Sequence, residues 1–380
     1  MLILSVHCGF DCVMTKHILS YLLIILVSWP SYATKILFIN PDKPGRNFWD
    51  VTTIIAVTAA KQLGVDLEVT YGGGNRFSNQ FQLENLTDKY DYVIFFPHAG
   101  NAISSFEVLS QLKTPFITLE RAISNDELNT LGDPAHTYPL WIGEIYYDDV
   151  QAGALLTKEL LAVHEKTSSR PASILAFNGD YSSISSKRAM GLSIISKQEN
   201  AQLEQVLHTM WNPELAGQKF LKAILRYPDT NIVWAASDQL SLNISKISGE
   251  TNLHSNLIVG GIDWESEAIS GIESNTYAVS IGGHIFEAAW AIILAYDHAH
   301  TVDITNVRKQ LPLAYHAITQ ENIHRFGVIK DSSVWPCFNF RKYSRHLNQA
   351  VKQHNFDLTL GLDEAFYQCI DEQKLVQTQP

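Results

Sequence analysis

Cysteine, positive charge and long apolar runs are all scarce in this chain, and each scarcity closes off a class of function. Four cysteines occur in 380 residues, and none shares metal-ligand spacing with a histidine, so a zinc-type site has no support. Lysine and arginine number 28 against 39 aspartates and glutamates, a formal net charge of -11. With no basic stripe, nucleic acid is not an expected partner, because phosphate contacts need a basic surface. There is no Gly-x-Ser-x-Gly, no Gly-x-x-x-x-Gly-Lys and no His-Glu-x-x-His. Gly72-Gly73-Gly74 follows an apolar run but lacks the spacing of a dinucleotide fingerprint, and no cofactor is expected. Loosely spaced carboxylates, such as Asp180 with Asp263, leave a secreted hydrolase as the catalytic alternative.

The one concentrated apolar run, Ile18 to Trp29, is roughly a dozen residues, short of the ~20 that a membrane helix needs. Lys16 precedes it and a small-x-small ending, Ser31 and Ala33, follows, which is the pattern of a secretory leader over residues 1–33. Residues 1–13 contain Asp11 and no lysine or arginine, so Met14 is the expected true start. An uncleaved anchor is the alternative. Cys337 and Cys369 would remain after cleavage; in an oxidising compartment a disulfide between them and a pair of free thiols are both open.

What is abundant is core-forming sequence, 46% apolar against 18% charged, in a length that suggests two domains. Short apolar runs alternate with amphipathic stretches, the signature of parallel sheets covered by helices. Strands are expected at 35–40, 66–71, 92–96 and 115–120, with helices at 48–63, 78–89 and 102–112 between them. After Trp141 to Ile145 a second series runs to a helix over 286–299. The expected fold is α/β, two doubly wound lobes joined by a three-segment hinge, with crossings near 145, 282 and 315. Residues 34–146 with 284–315 would form the N-terminal lobe, 147–283 with 316–345 the C-terminal lobe, and 346–380 an extension.

Candidate binding residues gather where strands end, since open α/β sheets place ligands at the carboxyl ends of their strands. Phe48 and Trp49 follow the first strand; adjacent helix positions cannot both face the core, so at least one ring is expected to line a cleft. Glu120-Arg121 ends another strand, an acceptor beside a forked donor, with a local surface ion pair as the alternative. Ser237-Asp238 and Asp263 end two strands of the second lobe in the same way, although Asp238 also suits a helix N-cap. Arg188 and Trp211 would add a cation and a second aromatic wall.

In these residues the chain resembles the type I periplasmic binding proteins of the sugar-binding group, over about Lys35 to Thr319. Thr118-Leu119-Glu120-Arg121 is similar to the family's Thr-Leu-Asp-Arg tip, with glutamate for aspartate. Arg188-Ala189-Met190-Gly191 matches its Arg-x-x-Gly, and Val259 to Asp263 resembles its Val-Gly-Phe-Asp. The resemblance implies a small polyhydroxylated ligand clamped between the lobes, no catalysis, a monomer in the periplasm, and a membrane partner that is an ABC importer or, alternatively, a sensor kinase. Two departures fall at ligand-facing positions: Ser237 replaces asparagine, and Gly283 with His284 beside it replaces glutamine or arginine. The identity of the sugar does not carry over.

Overall fold

The computed structural model describes residues 33–45, 47–86, 89–120, 123, 125–132, 136–251, 257–304 and 313–377. The leader, including Met14, and the candidate Arg121 lie outside the described residues.

Strand β1 (Lys35–Asn40) is buried along nearly its whole length, which is why its sequence is continuously apolar: a central parallel strand is covered on both faces. It joins β2 (Asp66–Tyr71), β3 (Tyr92–Phe95), β4 (Phe116–Leu119) and β5 (Trp141–Ile145) in the order β2-β1-β3-β4-β5, every pairing parallel. Parallel neighbours need crossovers, and α1 (Asn47–Leu63), α2 (Arg76–Glu84), α3 (Ala102–Gln111) and α4 (Asn125–Leu131) lie between successive strands. The order turns back between β1 and β3, so a crevice opens at their carboxyl ends.

The second sheet has the order β11-β10-β9-β8-β6-β7. It contains β6 (Ser173–Asn178), β7 (Gln202–His208), β8 (Ile232–Ala235), β9 (Ile258–Ile262), β10 (Val279–Gly282) and β11 (His316–Thr319), the last antiparallel to β10. Helices α5 (Asp149–Thr167), α6 (Ser183–Gln198), α7 (Pro213–Arg226), α8 (Asp238–Thr251) and α9 (Ser266–Glu273) alternate with these strands. Its turn-back lies between β6 and β8, which points Asn178 and Ala235 at a second crevice. The short, polar α4 was not expected, while β5 and β11 lie where strand-like crossings were expected, near 145 and 315.

Helix α10 (Glu287–Ala299) returns to the first lobe and packs on α1, β4 and β5. Every residue from Glu287 to Asp297 is buried, and a helix buried all round must be covered on every side. The end of the chain supplies that cover. Phe286 and Trp290 meet Trp335, Phe338, Phe340, Tyr343 and Phe356. After β11, a short helix α11 (Ile323–Phe326) and the turn Gly327–Lys330 stay beside α9, but residues 332–343 pack on α1. Gln62 fixes them there, donating to the Phe338 carbonyl at 2.8 Å and accepting from the Phe340 amide at 2.9 Å. This differs from the placement of 316–345 as one piece of the second lobe, because the aromatic side chains of 335–343 bury themselves on Phe286 and Trp290. Cys337 is bonded to Cys369 in the last helix, α12 (Glu364–Gln377), with Cα atoms 5.6 Å apart.

The crossing segments run side by side. Tyr147 pairs with Leu313 in a parallel bridge, and its hydroxyl donates to the Gly283 carbonyl at 2.9 Å. Gly283 has φ +117°, a conformation that only glycine adopts without strain.

Candidate functional site

The first wall of the cleft is set by the end of β1. Buried Asn40 donates to the Trp49 carbonyl at 3.1 Å and to the Thr53 hydroxyl at 2.9 Å, and it accepts from the Asp42 amide. This staples the β1–α1 loop to the first turn of α1 and so fixes Phe48 and Trp49. The two rings meet edge to face at 5.1 Å, Trp49 lies 6.2 Å from Phe96, and Phe48 lies against His284 at 4.6 Å.

Arg188 organises the opposite wall. It sits on α6 where that helix meets α5 at very short range: a Cβ on Gly153 would come 1.9 Å from the Arg188 carbonyl, and one on Gly191 2.1 Å from the Val150 carbonyl. The close approach brings the guanidinium to the first turn of α5. There Asp148 caps the helix by accepting from the Val150 and Gln151 amides, which leaves the Asp149 carboxylate for Arg188. Nε donates to Asp149 Oδ1 at 2.9 Å, Nη1 to the Ala236 carbonyl at 2.7 Å and Nη2 to the Tyr315 hydroxyl at 3.2 Å. Tyr315 in turn donates to Asp149 at 3.2 Å. Burial works against the guanidinium charge, but Tyr315, Asp149, Asp263 and Glu120 around it outweigh that and hold its pKa above the ordinary value.

Asp263 completes the ring of charges. It lies 3.2 Å from His284 Nε2 and 3.9 Å from Arg188 Nη1. Its φ of +131° is strained for a residue with a Cβ, and such strain gathers at binding sites. Burial, reinforced by Asp149 and opposed by Arg188, pushes its carboxyl up to about 7. Glu120, with φ +48°, is pushed up to about 8 by burial and by Asp149 and Asp263. His284 is driven the other way, well below its usual value, by burial and by Arg188, and is neutral.

No protein-family model matches the chain, and no curated protein sequence matches it. Among solved structures, a periplasmic sugar-binding protein from Pseudomonas fluorescens has a TM-score of 0.75 and 24% identity, over 87% of this chain and 100% of that one. An ABC transporter periplasmic solute-binding protein from Actinobacillus succinogenes, with bound D-allose, has 0.67 and 18%, over 77% and 99%. This chain has the type I periplasmic binding protein fold. The Caulobacter myo-inositol binding protein, bound to myo-inositol, shares it with a TM-score of 0.63 at 16% identity, over 79% and 97%.

Within this type I fold the candidate residues divide. Phe48, Trp49, Glu120, Arg188, Asp263 and His284 come together, and Trp211 lies 5.9 Å from the Arg188 guanidinium. Asp238 has another place. Its carboxylate accepts from the Tyr277 hydroxyl at 2.8 Å, the Ser280 hydroxyl at 2.5 Å and the Glu265 amide at 3.0 Å, so it ties β8 to β9 and β10 inside the second lobe. It is neither an open ligand acceptor nor an N-cap. Ser237, beside it, is buried, and its carbonyl takes the Ser241 amide at 3.4 Å. Asp180 is held by the Ser182 amide and the Ser185 hydroxyl, both at 3.0 Å.

Asp149, Tyr315, Tyr147, Glu265 and Glu287 join the cleft without having been expected there. Asp149 lies 39 positions from Arg188 and Tyr315 lies 127, separations at which no helix or strand period operates. The one available signal was Asp148-Asp149 itself, since a capped first turn leaves the second acid unused. Glu265 accepts from Gln239 at 3.1 Å and hydrogen bonds the Asn47 side chain of the first lobe; burial and the neighbouring Asp263 and Asp238 push it up to about 8. The two lobes therefore touch at Asn47–Glu265, while Phe48 of the first lobe lies against His284 of the crossing.

Proposed function

We propose that this chain is an exported binding protein that captures a small polyhydroxylated ligand between its lobes and presents it to a membrane ABC importer. The observation that carries this reading is the joint cluster of Phe48 from the first lobe, Arg188 and Asp263 from the second, and His284 and Tyr315 from the crossings. A ligand held there contacts both lobes, and only a ligand with differential contacts favours the closed arrangement. Apolar rings suit the C–H faces of a sugar, and carboxylates suit its hydroxyls. The site carries no catalytic assignment: the solved structures that share its fold are solute-binding proteins.

The packed layer built from residues 323–377 favours a second partner, a membrane sensor kinase, since it gives the lobes an added outer surface. Pull-down of the liganded protein with its importer or its kinase separates the two. The binding reading itself is tested by a thermal-shift panel of monosaccharides and polyols, followed by calorimetry. Trp49→Ala is expected to weaken binding about tenfold or more, an aromatic contact with its buried area removed, with unliganded unfolding nearly unchanged. Steady consumption of the ligand, or loss of folding in this variant, would overturn the reading.

A further inference from the structure

Among the described residues of the cleft, much of the donor capacity is spent internally while carboxyl groups are left over. Arg188 directs three of its five N–H groups at Asp149, Ala236 and Tyr315, and the Tyr315 hydroxyl gives its proton to Asp149. Opposite them stand Glu120, Asp263 and fully buried Glu287. His284 adds to the excess. Its Nε2 faces the Asp263 carboxylate and so carries the ring proton, which leaves Nδ1 a bare acceptor; the side chain is 2% exposed, and Nδ1 has no hydrogen-bond partner among the described residues.

We propose that the ligand carries a protonated amine, as an amino sugar or amino polyol does, seated between Glu120, Asp263 and His284. This rests on the reading of the cleft as a sugar site and narrows it. An ammonium group has three donors and no acceptor, the complement of the Glu120 and Asp263 carboxyls and the His284 Nδ1. The same pocket disfavours a uronate or a sugar phosphate, because an added anion would meet the carboxyl groups of Glu120 and Asp263. Burial, with repulsion from Asp149 added, pushes Glu120 up to about 8 and Asp263 up to about 7. A bound cation would oppose both shifts.

The test is calorimetry on the purified protein with matched sets in the gluco, galacto, manno and ribo series: the neutral sugar, its amino derivative and its acid. The amino member of the binding series should be tighter than the neutral parent by about tenfold or more, with the acid undetectable. Glu120→Gln and Asp263→Asn, each checked for an unchanged unfolding midpoint, should cost the amino member more affinity than the neutral parent, so that the preference falls to about parity. A neutral sugar binding as tightly as its amine, or an acid binding tighter than either, would overturn the amine inference and leave the sugar reading standing. No binding by any member would remove both.

Discussion

Two aspartate–histidine pairs among the described residues are built from the same groups and set in opposite surroundings. Asp297, on α10, accepts from the Ser344 hydroxyl at 2.5 Å, the Arg345 amide at 2.6 Å, the His346 amide at 3.2 Å and His354 Nε2 at 2.7 Å. Burial alone would raise its carboxyl, yet the bonds from His354, Ser344 and the Arg345 amide outweigh burial and hold it below the ordinary value. Asp263 has His284 at 3.2 Å and a distant Arg188, and burial wins. A carboxylate whose lone pairs are filled by its own chain is a clamp. One left short of donors keeps lone pairs open, as the proposed site requires.

Breaking the clamp should have the largest effect. Asp297→Ala strands buried His354 and frees residues 344–354 from α10, so unfolding in urea should show a loss of about 3–5 kcal/mol, with ligand affinity of the folded protein unchanged. Equal stability of variant and parent would refute the clamp. Asp263→Asn should do the reverse, lowering affinity about tenfold to hundredfold, the worth of a charge-assisted hydrogen bond, while the unliganded unfolding midpoint holds or rises. A fall in that midpoint comparable to the Asp297 variant's would make the two centres alike.

The smallest effect is in pH. Asp297, lowered on folding, contributes stability above its unfolded pKa and loses it as pH falls into the acid range. Glu120 and Asp263, pushed up to about 8 and about 7, hold protons in the folded state that the unfolded chain has released, so the unliganded protein should lose stability as pH rises from about 5 to about 8. A melting series should show this downward slope in the parent and a flatter one in Asp263→Asn; identical slopes would mean Asp263 does not titrate there.

Much of the fold was legible because parallel strands and amphipathic helices announce themselves through local periodicity. β1 lies at Lys35–Asn40, where its apolar run stands in the sequence, and Phe48 and Trp49 open α1. The all-apolar α10 showed a helix buried on every side without showing what buries it, because the cover comes from aromatic residues some 45–70 positions later, such as Trp335 and Phe356.

Asp238 and Asp263 mark the boundary most clearly. In sequence both are acids at the tip of an apolar strand, and nothing local tells them apart. Strand, tip and acid were determined by the chain alone, through hydrophobic pattern and turn chemistry. Which acid is left open was decided by tertiary structure: Tyr277, 39 positions away, and Ser280, 42 away, donate to Asp238, while among the described residues Asp263 meets His284 and a guanidinium 3.9 Å away. Donor supply at a buried carboxylate is a property of neighbours in space, and the backbone alone brings those neighbours together.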